Sequence, residues 1–124
     1  MFGNAFAESQ PTFVESYEKV DVATAQEFVE WNPTVVVVDT RQPSSYNMGH
    51  IETAVNIPID QLTKENLAQH VTSPGTPVLF YCNASDCNAS EDAAKVATVL
   101  GFNNAHVLPG GIDSWNNKGL PTVR

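Results

Sequence analysis

Several features are scarce in this 124-residue chain, and each scarcity excludes a class of protein. Two cysteines are too few for a scaffold held together by disulfides. Six Lys and Arg stand against fourteen Asp and Glu, and the resulting net charge of −8 disfavours nucleic acid or an anionic membrane as the main partner. No apolar run approaches the roughly 20 residues of a membrane-spanning helix. We therefore expect no nucleic-acid partner and no membrane span.

The remaining composition is that of one globular domain. Hydrophobic residues make up 42% of the chain, enough at this length to form a core without disulfides or a structural metal. We assign residues 13–124 to this domain and residues 1–12, which show no clear periodicity, to an N-terminal tail. Within the tail, Ala5-Phe6-Ala7-Glu8 resembles the remnant of a signal-peptidase site and indicates periplasmic export. The alternative is a flexible tail on a cytoplasmic protein.

Short apolar segments alternate with amphipathic ones along the domain. The apolar segments predict strands at residues 19–20, 34–38, 55–57, 77–81 and 105–108. The amphipathic segments predict helices from a cap at Asp21 to Trp31, from a cap at Thr63 to Val71, from a cap at Asn88 to about Leu100, and around Trp115. Asn88 and Glu91 have the spacing of a capping box. This alternation predicts a parallel sheet with helices on both faces.

Cys82 directly follows the apolar segment at residues 77–81, where the carboxyl end of a buried strand is expected. Sites of open α/β sheets lie beyond the carboxyl ends of their strands. Backbone N–H groups of the following loop and the dipole of the next helix would lower the pKa of the Cys82 thiol and favour its nucleophilic thiolate. The alternative is a buried, inert cysteine that closes a strand.

Three groups of residues occur in an order typical of one family. The first comprises Val38-Asp39-Thr40-Arg41, Gly49-His50-Ile51 and Asn56-Ile57-Pro58. The second is Tyr81-Cys82, which opens a loop before an alanine-rich helix. The third is Leu108-x-Gly110-Gly111-Ile112-x-x-Trp115. From about Lys19 to Pro121, the chain therefore resembles the rhodanese-like domain family of single-domain sulfurtransferases.

The resemblance implies an α/β fold with a five-stranded parallel sheet flanked by helices. It also implies that Cys82 takes a sulfane sulfur from a donor, forms a persulfide and passes the sulfur to a nucleophilic acceptor. The expected partners are a small sulfur-containing anion or thiol and a protein that accepts sulfur. We expect a monomer without a cofactor, and no metal, since Cys-x4-Cys with no second ligand pair is weak evidence for zinc.

The loop after Cys82 departs from the common family pattern Cys-x-x-Gly-x-Arg-Ser. Here it is Cys82-x4-Cys87-x2-Ser90, two residues longer and without Gly or Arg, which is similar to a subgroup of the family. The loop contains no cation, so an anionic donor would depend on backbone amides, and we expect weak activity with the thiosulfate dianion. The predicted substrate-binding residues are Asn83, Ala84, Ser85, Asp86, Cys87, Asn88 and Arg41.

Two residues near the proposed nucleophile have more than one interpretation. Cys87 is a redox partner that resolves the Cys82 persulfide or forms a regulatory disulfide, or it is only a small loop residue. Arg41 supports the fold through Asp39, or borders the pocket and supplies the charge that the loop lacks.

For His50, a structural hydrogen bond is favoured over an acid–base role. Trp115 is predicted to anchor the last helix in the core.

Three other functions compete with sulfur transfer. The chain would be a sulfur carrier if it turned over only with a partner protein, or a dithiol redox protein if Cys82 and Cys87 cycled together. Phosphatases of the same fold use Cys-x5-Arg, but the residue six positions after Cys82 is Asn88. Phosphoryl transfer would lack its main charge clamp, which disfavours that chemistry.

Overall fold

A five-stranded parallel sheet forms the centre of the computed structural model, which describes residues 17–124. The strands in chain order are β1 (Tyr17–Lys19), β2 (Val36–Asp39), β3 (His50–Ile51), β4 (Val55–Asn56), β5 (Val78–Tyr81), β6 (Ala105–Leu108) and β7 (Thr122–Val123). The spatial order of the main sheet is β1-β6-β5-β2-β4, and β3 pairs with β7 in a separate antiparallel ribbon. The predicted tail, residues 1–12, and residues 13–16 lie outside the described residues.

Helices cover both faces of the main sheet, which confirms the predicted fold class. They are α1 (Val22–Trp31), α2 (Pro43–Met48), α3 (Lys64–Ala68), α4 (Ala89–Val99) and α5 (Gly111–Asn117). Successive strand residues point to opposite faces, and each face has its own core cluster. Val38 and Phe80 pack with the alanines of α4, whereas Val37 and Leu79 pack with α1 and α5. The apolar strands are continuous because both faces are buried.

One predicted helix cap is confirmed, and two other local predictions shift by two or three residues. Asp21 caps α1 by accepting a hydrogen bond from the Thr24 amide at 2.9 Å, as predicted. The strand predicted at 34–38 begins only at Val36, because the Asn32 side chain holds the Thr34 amide in a turn. Helix α3 is capped by Thr63 but ends at Ala68 rather than near Val71, and Val71 enters the core after the turn.

Two structural features were not predicted. Pro43 occupies the start of α2, a short helix without buried residues. Further along, β3 pairs with β7 near the end of the described chain.

The His50 ring stacks on Tyr46 at 3.6 Å and its Nδ1 lies 2.8 Å from the Tyr46 carbonyl oxygen, which confirms a structural contact. Trp115 is buried and donates from Nε1 to the Pro121 carbonyl at 2.8 Å, which confirms its anchoring role.

No helix within residues 17–124 has both the length and the apolar character needed to cross a membrane.

Candidate active site

An open cleft of about 420 Å³ lies beyond the carboxyl ends of β2 and β5. The two strand ends are joined at Thr40, whose amide and hydroxyl both donate to the Tyr81 carbonyl, at 3.0 and 2.9 Å. Cys82 therefore begins its loop at a fixed point of the sheet. The residues that line the cleft are Thr40, Arg41, Gln42, Ser45, Ile59, Cys82, Asn83, Asp86, Cys87 and Ala89.

Cys82 and Cys87 are joined by a disulfide bond, with 6.3 Å between their Cα atoms. Cys82 is only 4% exposed, whereas Cys87 is half-buried, and both line the cleft. The sequence had left open whether these residues are paired. The structure shows that the five-residue spacing lets the loop bring the two sulfur atoms together. The interpretation of Cys87 as a mere small loop residue is therefore disfavoured.

The start of α5 supports the Cys82 loop from behind. The Ile112 amide donates to the Cys82 carbonyl at 2.9 Å, and the Asp113 amide donates to the Asn83 carbonyl at 3.0 Å. Gly111 makes this close approach possible with a φ of +62°, because a Cβ there would lie 2.6 Å from backbone atoms of Cys82 and Asn83. The Gly-Gly pair was the sequence signal for this support.

The other end of the loop leads into α4 without the predicted capping box. Asn88 has helical backbone angles and its side chain makes no capping hydrogen bond, so this prediction is wrong. The Glu91 carboxylate instead accepts from the Tyr17 hydroxyl at 3.1 Å and pairs with Lys19 at 3.6 Å. Because Glu91 and Asp92 lie in the first turn of α4, their charge offsets part of the positive helix dipole beneath the loop.

A buried polar network lies beside the cleft and holds the end of β2. The Asp39 carboxylate is fully buried and accepts from Arg41 Nη2 at 2.7 Å and from the Tyr81 hydroxyl at 2.9 Å. Arg41 Nη2 also donates to the Gly49 carbonyl at 2.8 Å. Burial lowers the pKa of Arg41, but its hydrogen bond and charge interaction with Asp39 outweigh this effect and raise it. Burial and the Asp39 charge raise the pKa of Tyr81, which remains a neutral donor.

Arg41 lies where both interpretations from the sequence would have it, at the cleft and beside Asp39. It borders the cleft, and it is also the ion-pair partner of Asp39. Because Asp39 neutralises the guanidinium, Arg41 brings little unpaired positive charge to the cleft. The other charged side chain of the lining is Asp86, so the charges on and directly behind this lining sum to a negative value.

The structure brings some of the predicted substrate-binding residues to the cleft and leaves others away from it. Besides Arg41 and Cys87, the lining includes Asn83 and Asp86. Ala84 is half-buried, Ser85 and Asn88 are exposed, and these three do not line the cleft. Sequence reasoning missed the wall formed by Thr40, Gln42, Ser45, Ile59 and Ala89. For Thr40 and Gln42, the available signal was their position just after a buried strand.

Within residues 17–124, no three His, Cys, Asp or Glu side chains form a group that could hold a metal ion.

Comparison with known protein families assigns this fold to a family. Residues 21–118 match the rhodanese-like domain, and the chain belongs to this family. Membership supports a general role in sulfur transfer. A solved rhodanese-like domain from Anabaena sp. superposes with a TM-score of 0.73 at 26% identity, covering 85% of this chain and 77% of that one.

Two curated relatives show how far the similarity extends. A thiosulfate:glutathione sulfurtransferase of Saccharomyces cerevisiae is 33% identical over 98 residues, 71% of this chain and 69% of the relative. An uncharacterized protein of Buchnera aphidicola is 30% identical over 88 residues, 71% of this chain. The chain spans only 58% of that second relative's length.

Proposed function

We propose that the protein is a sulfurtransferase in which Cys82 carries the sulfur as a persulfide. The observation that carries this proposal is the position of Cys82, buried at the carboxyl end of β5 and lining the cleft. The Cys82 thiolate attacks the sulfane sulfur of a donor, and the remainder of the donor leaves with the bonding electron pair. A nucleophilic acceptor then takes the outer sulfur and regenerates the thiolate.

The disulfide must be reduced before this cycle begins, because a bonded Cys82 sulfur has no thiolate to attack a donor. A dithiol or thiol reductant therefore precedes the first sulfur transfer. The loop carbonyls held by Ile112 and Asp113 keep Cys82 at the cleft in the reduced protein. These hydrogen bonds do not involve the disulfide, which supports a nucleophile that stays in place after reduction.

The charge of the cleft favours a donor that carries little negative charge. Arg41 is neutralised by Asp39, and Asp86 repels anions that approach Cys82. Thiosulfate is a dianion, so its repulsion by Asp86 is about twice that of a monoanionic sulfane donor at the same distance. A neutral donor is not repelled in this way. The similarity to a thiosulfate:glutathione sulfurtransferase supports sulfane donors as a class and thiols as acceptors.

Intact-mass measurement tests the proposed persulfide. The reduced protein is incubated without oxygen with thiosulfate or with benzenethiosulfonate, a monoanionic sulfane donor, and excess donor is removed. We expect Cys87→Ser, which cannot form the disulfide, to gain one sulfur atom, and the Cys82→Ser variant to gain none. A sulfur gain in Cys82→Ser equal to that of Cys87→Ser would show that loading does not depend on Cys82 and would refute the proposal.

The role of Asp86 is tested with the same two donors. Asp86→Asn should raise the rate of sulfur loading from thiosulfate roughly three- to tenfold and raise loading from benzenethiosulfonate less, since removing one charge helps the dianion more. Glu27→Gln on α1 removes the same charge away from the cleft and serves as the control. Equal rates for Asp86→Asn and wild type with thiosulfate would contradict the argument from charge.

The disulfide favours a second candidate, a dithiol redox protein that moves electrons and no sulfur. This candidate requires a reversible two-electron reduction of the Cys82–Cys87 bond and no sulfur gain with any sulfane donor. The mass experiment separates the candidates, because only the sulfurtransferase keeps an added sulfur in Cys87→Ser.

A further inference from the structure

Cys87 is a second cysteine beside the proposed nucleophile, and sulfur transfer alone does not require it. A sulfurtransferase needs one nucleophilic cysteine, yet this loop presents a second one to the same cleft. In the disulfide, the atom that Cys87 meets is the Sγ of Cys82, the same atom that would bear the outer sulfur in a persulfide. Cys87 is also the more exposed of the two residues.

The backbone of the loop is held in the conformation that this contact needs. Hydrogen bonds from α5 fix the Cys82 and Asn83 carbonyls, and the Cys87 amide donates to the Ala84 carbonyl at 3.0 Å. None of these bonds involves a sulfur atom, so opening the disulfide breaks none of them directly, and we expect them to remain. The reduced Cys87 thiol therefore stays close to Cys82, and its attack is intramolecular. Oriented intramolecular reactions greatly exceed their bimolecular counterparts in rate.

We propose that Cys87 resolves the Cys82 persulfide, so that the protein reduces sulfane sulfur to sulfide. This inference rests on the proposed persulfide. The Cys87 thiolate attacks Sγ of Cys82, a Sγ–Sγ bond forms, and the bond from Cys82 Sγ to the outer sulfur breaks. Its electron pair leaves with the outer sulfur, which takes up the proton from Cys87 and departs as hydrosulfide. The two cysteines together lose two electrons, and the sulfane sulfur gains them.

A dithiol reductant completes the cycle by supplying two electrons and two protons to the disulfide. Hydrosulfide is an anion, so the negative cleft around Asp86 favours its departure. The same charge disfavours rebinding of anionic products beside Cys82. The substrate class is thus a sulfane donor of low charge, and the partner class is a dithiol.

A single turnover without external thiol tests the resolving step. Wild type, Cys87→Ser, Cys87→Ala and Cys82→Ser are reduced, freed of reductant without oxygen, and mixed with benzenethiosulfonate, whose own leaving group is a sulfinate. Released sulfide is trapped with monobromobimane, and intact mass reports persulfide and disulfide. External thiol is left out because it would release sulfide from any persulfide and hide the role of Cys87.

Wild type is expected to release about one sulfide per chain and to end as the disulfide. Both Cys87 variants are expected to keep the added sulfur. Their rate of sulfide release should be lower than that of wild type by a factor of roughly 100 or more. The inference is overturned if wild type keeps its persulfide as long as the Cys87 variants do, a result that leaves the proposed sulfurtransferase intact. If neither wild type nor the Cys87 variants take up sulfur from this donor or thiosulfate, both proposals fail together.

Discussion

Gly111 is the point at which α5 touches the backbone of the Cys82 loop, so one methyl group there should disturb the site. Its φ is +62°, and a Cβ would lie 2.6 Å from the carbonyl carbon and oxygen of Asn83 and from the Cys82 carbonyl oxygen. These are backbone atoms that cannot turn aside as a flexible side chain would. Gly111→Ala therefore forces the loop and α5 apart.

The magnitude follows from two contributions. An alanine in the left-handed region costs about 1–2 kcal/mol. Separating the loop from α5 weakens the hydrogen bonds from Ile112 to Cys82 and from Asp113 to Asn83, at about 1 kcal/mol each. The expected loss is roughly 3–4 kcal/mol. Gly119 has a φ of +80° and no atom within 4 Å of its own Cβ position, so Gly119→Ala should cost only the first contribution.

Urea denaturation measures this difference, with the disulfide kept intact in every protein so that the unfolded states match. Gly111→Ala should be less stable than Gly119→Ala by about 2 kcal/mol, at similar dependence on urea concentration. After reduction, sulfur loading from benzenethiosulfonate should also fall in Gly111→Ala and be unchanged in Gly119→Ala. Equal loss of stability in the two variants would refute the contact argument, because both share the backbone strain.

Two further predictions concern charge. Asp39→Asn leaves the largely buried Arg41 guanidinium without its counter-charge and should cost about 3–5 kcal/mol in urea denaturation. Lys19→Met breaks an exposed pair and should cost about 0–1 kcal/mol, and similar losses in the two variants would contradict this difference in burial. Hydrogen bonds from Thr24 lower the pKa of Asp21 from its ordinary value, so the stabilisation from this cap is present at neutral pH and is lost as the pH falls through the lowered pKa. Asp21→Asn should therefore reduce the drop in urea midpoint between neutral pH and about pH 3, and an unchanged drop would show that the cap does not titrate as described.

The main sheet could be predicted because its signals are local. Apolar runs such as residues 77–81 are continuous enough to indicate strands buried on both faces. The α2 helix had no such signal, because it buries no residue and lacks an apolar stripe. The β3–β7 ribbon could not be predicted from local sequence either, since it joins two-residue strands at distant points of the chain. Export falls on residues outside the described part of the chain and stays a prediction.

The candidate site was predictable in position more than in charge. The rule that sites follow the carboxyl ends of strands points to Cys82, which the structure has directly after β5 in the lining of the cleft. The charge of Arg41 could be counted from the sequence, but its neutralisation depends on tertiary contacts with Asp39 and the Gly49 carbonyl. For Asn88, the sequence predicts a local contact that the structure does not contain. Its spacing to Glu91 matches a capping box, yet Glu91 contacts Tyr17 and Lys19 on β1 instead.

The charge of the cleft and the second cysteine bear on the proposed chemistry of this loop in the same way. A cation in the loop would attract thiosulfate and retain anionic groups beside the nucleophile. In the lining described here, the guanidinium of Arg41 is paired and Asp86 is acidic. We expect such a cleft to bind anions poorly and to release them readily. A resolving thiol benefits from that release, because its product is hydrosulfide and its reverse reaction requires hydrosulfide to return to the disulfide. The absence of a cation in the loop and the presence of Cys87 therefore favour the same direction of the proposed reaction, from sulfane sulfur toward sulfide.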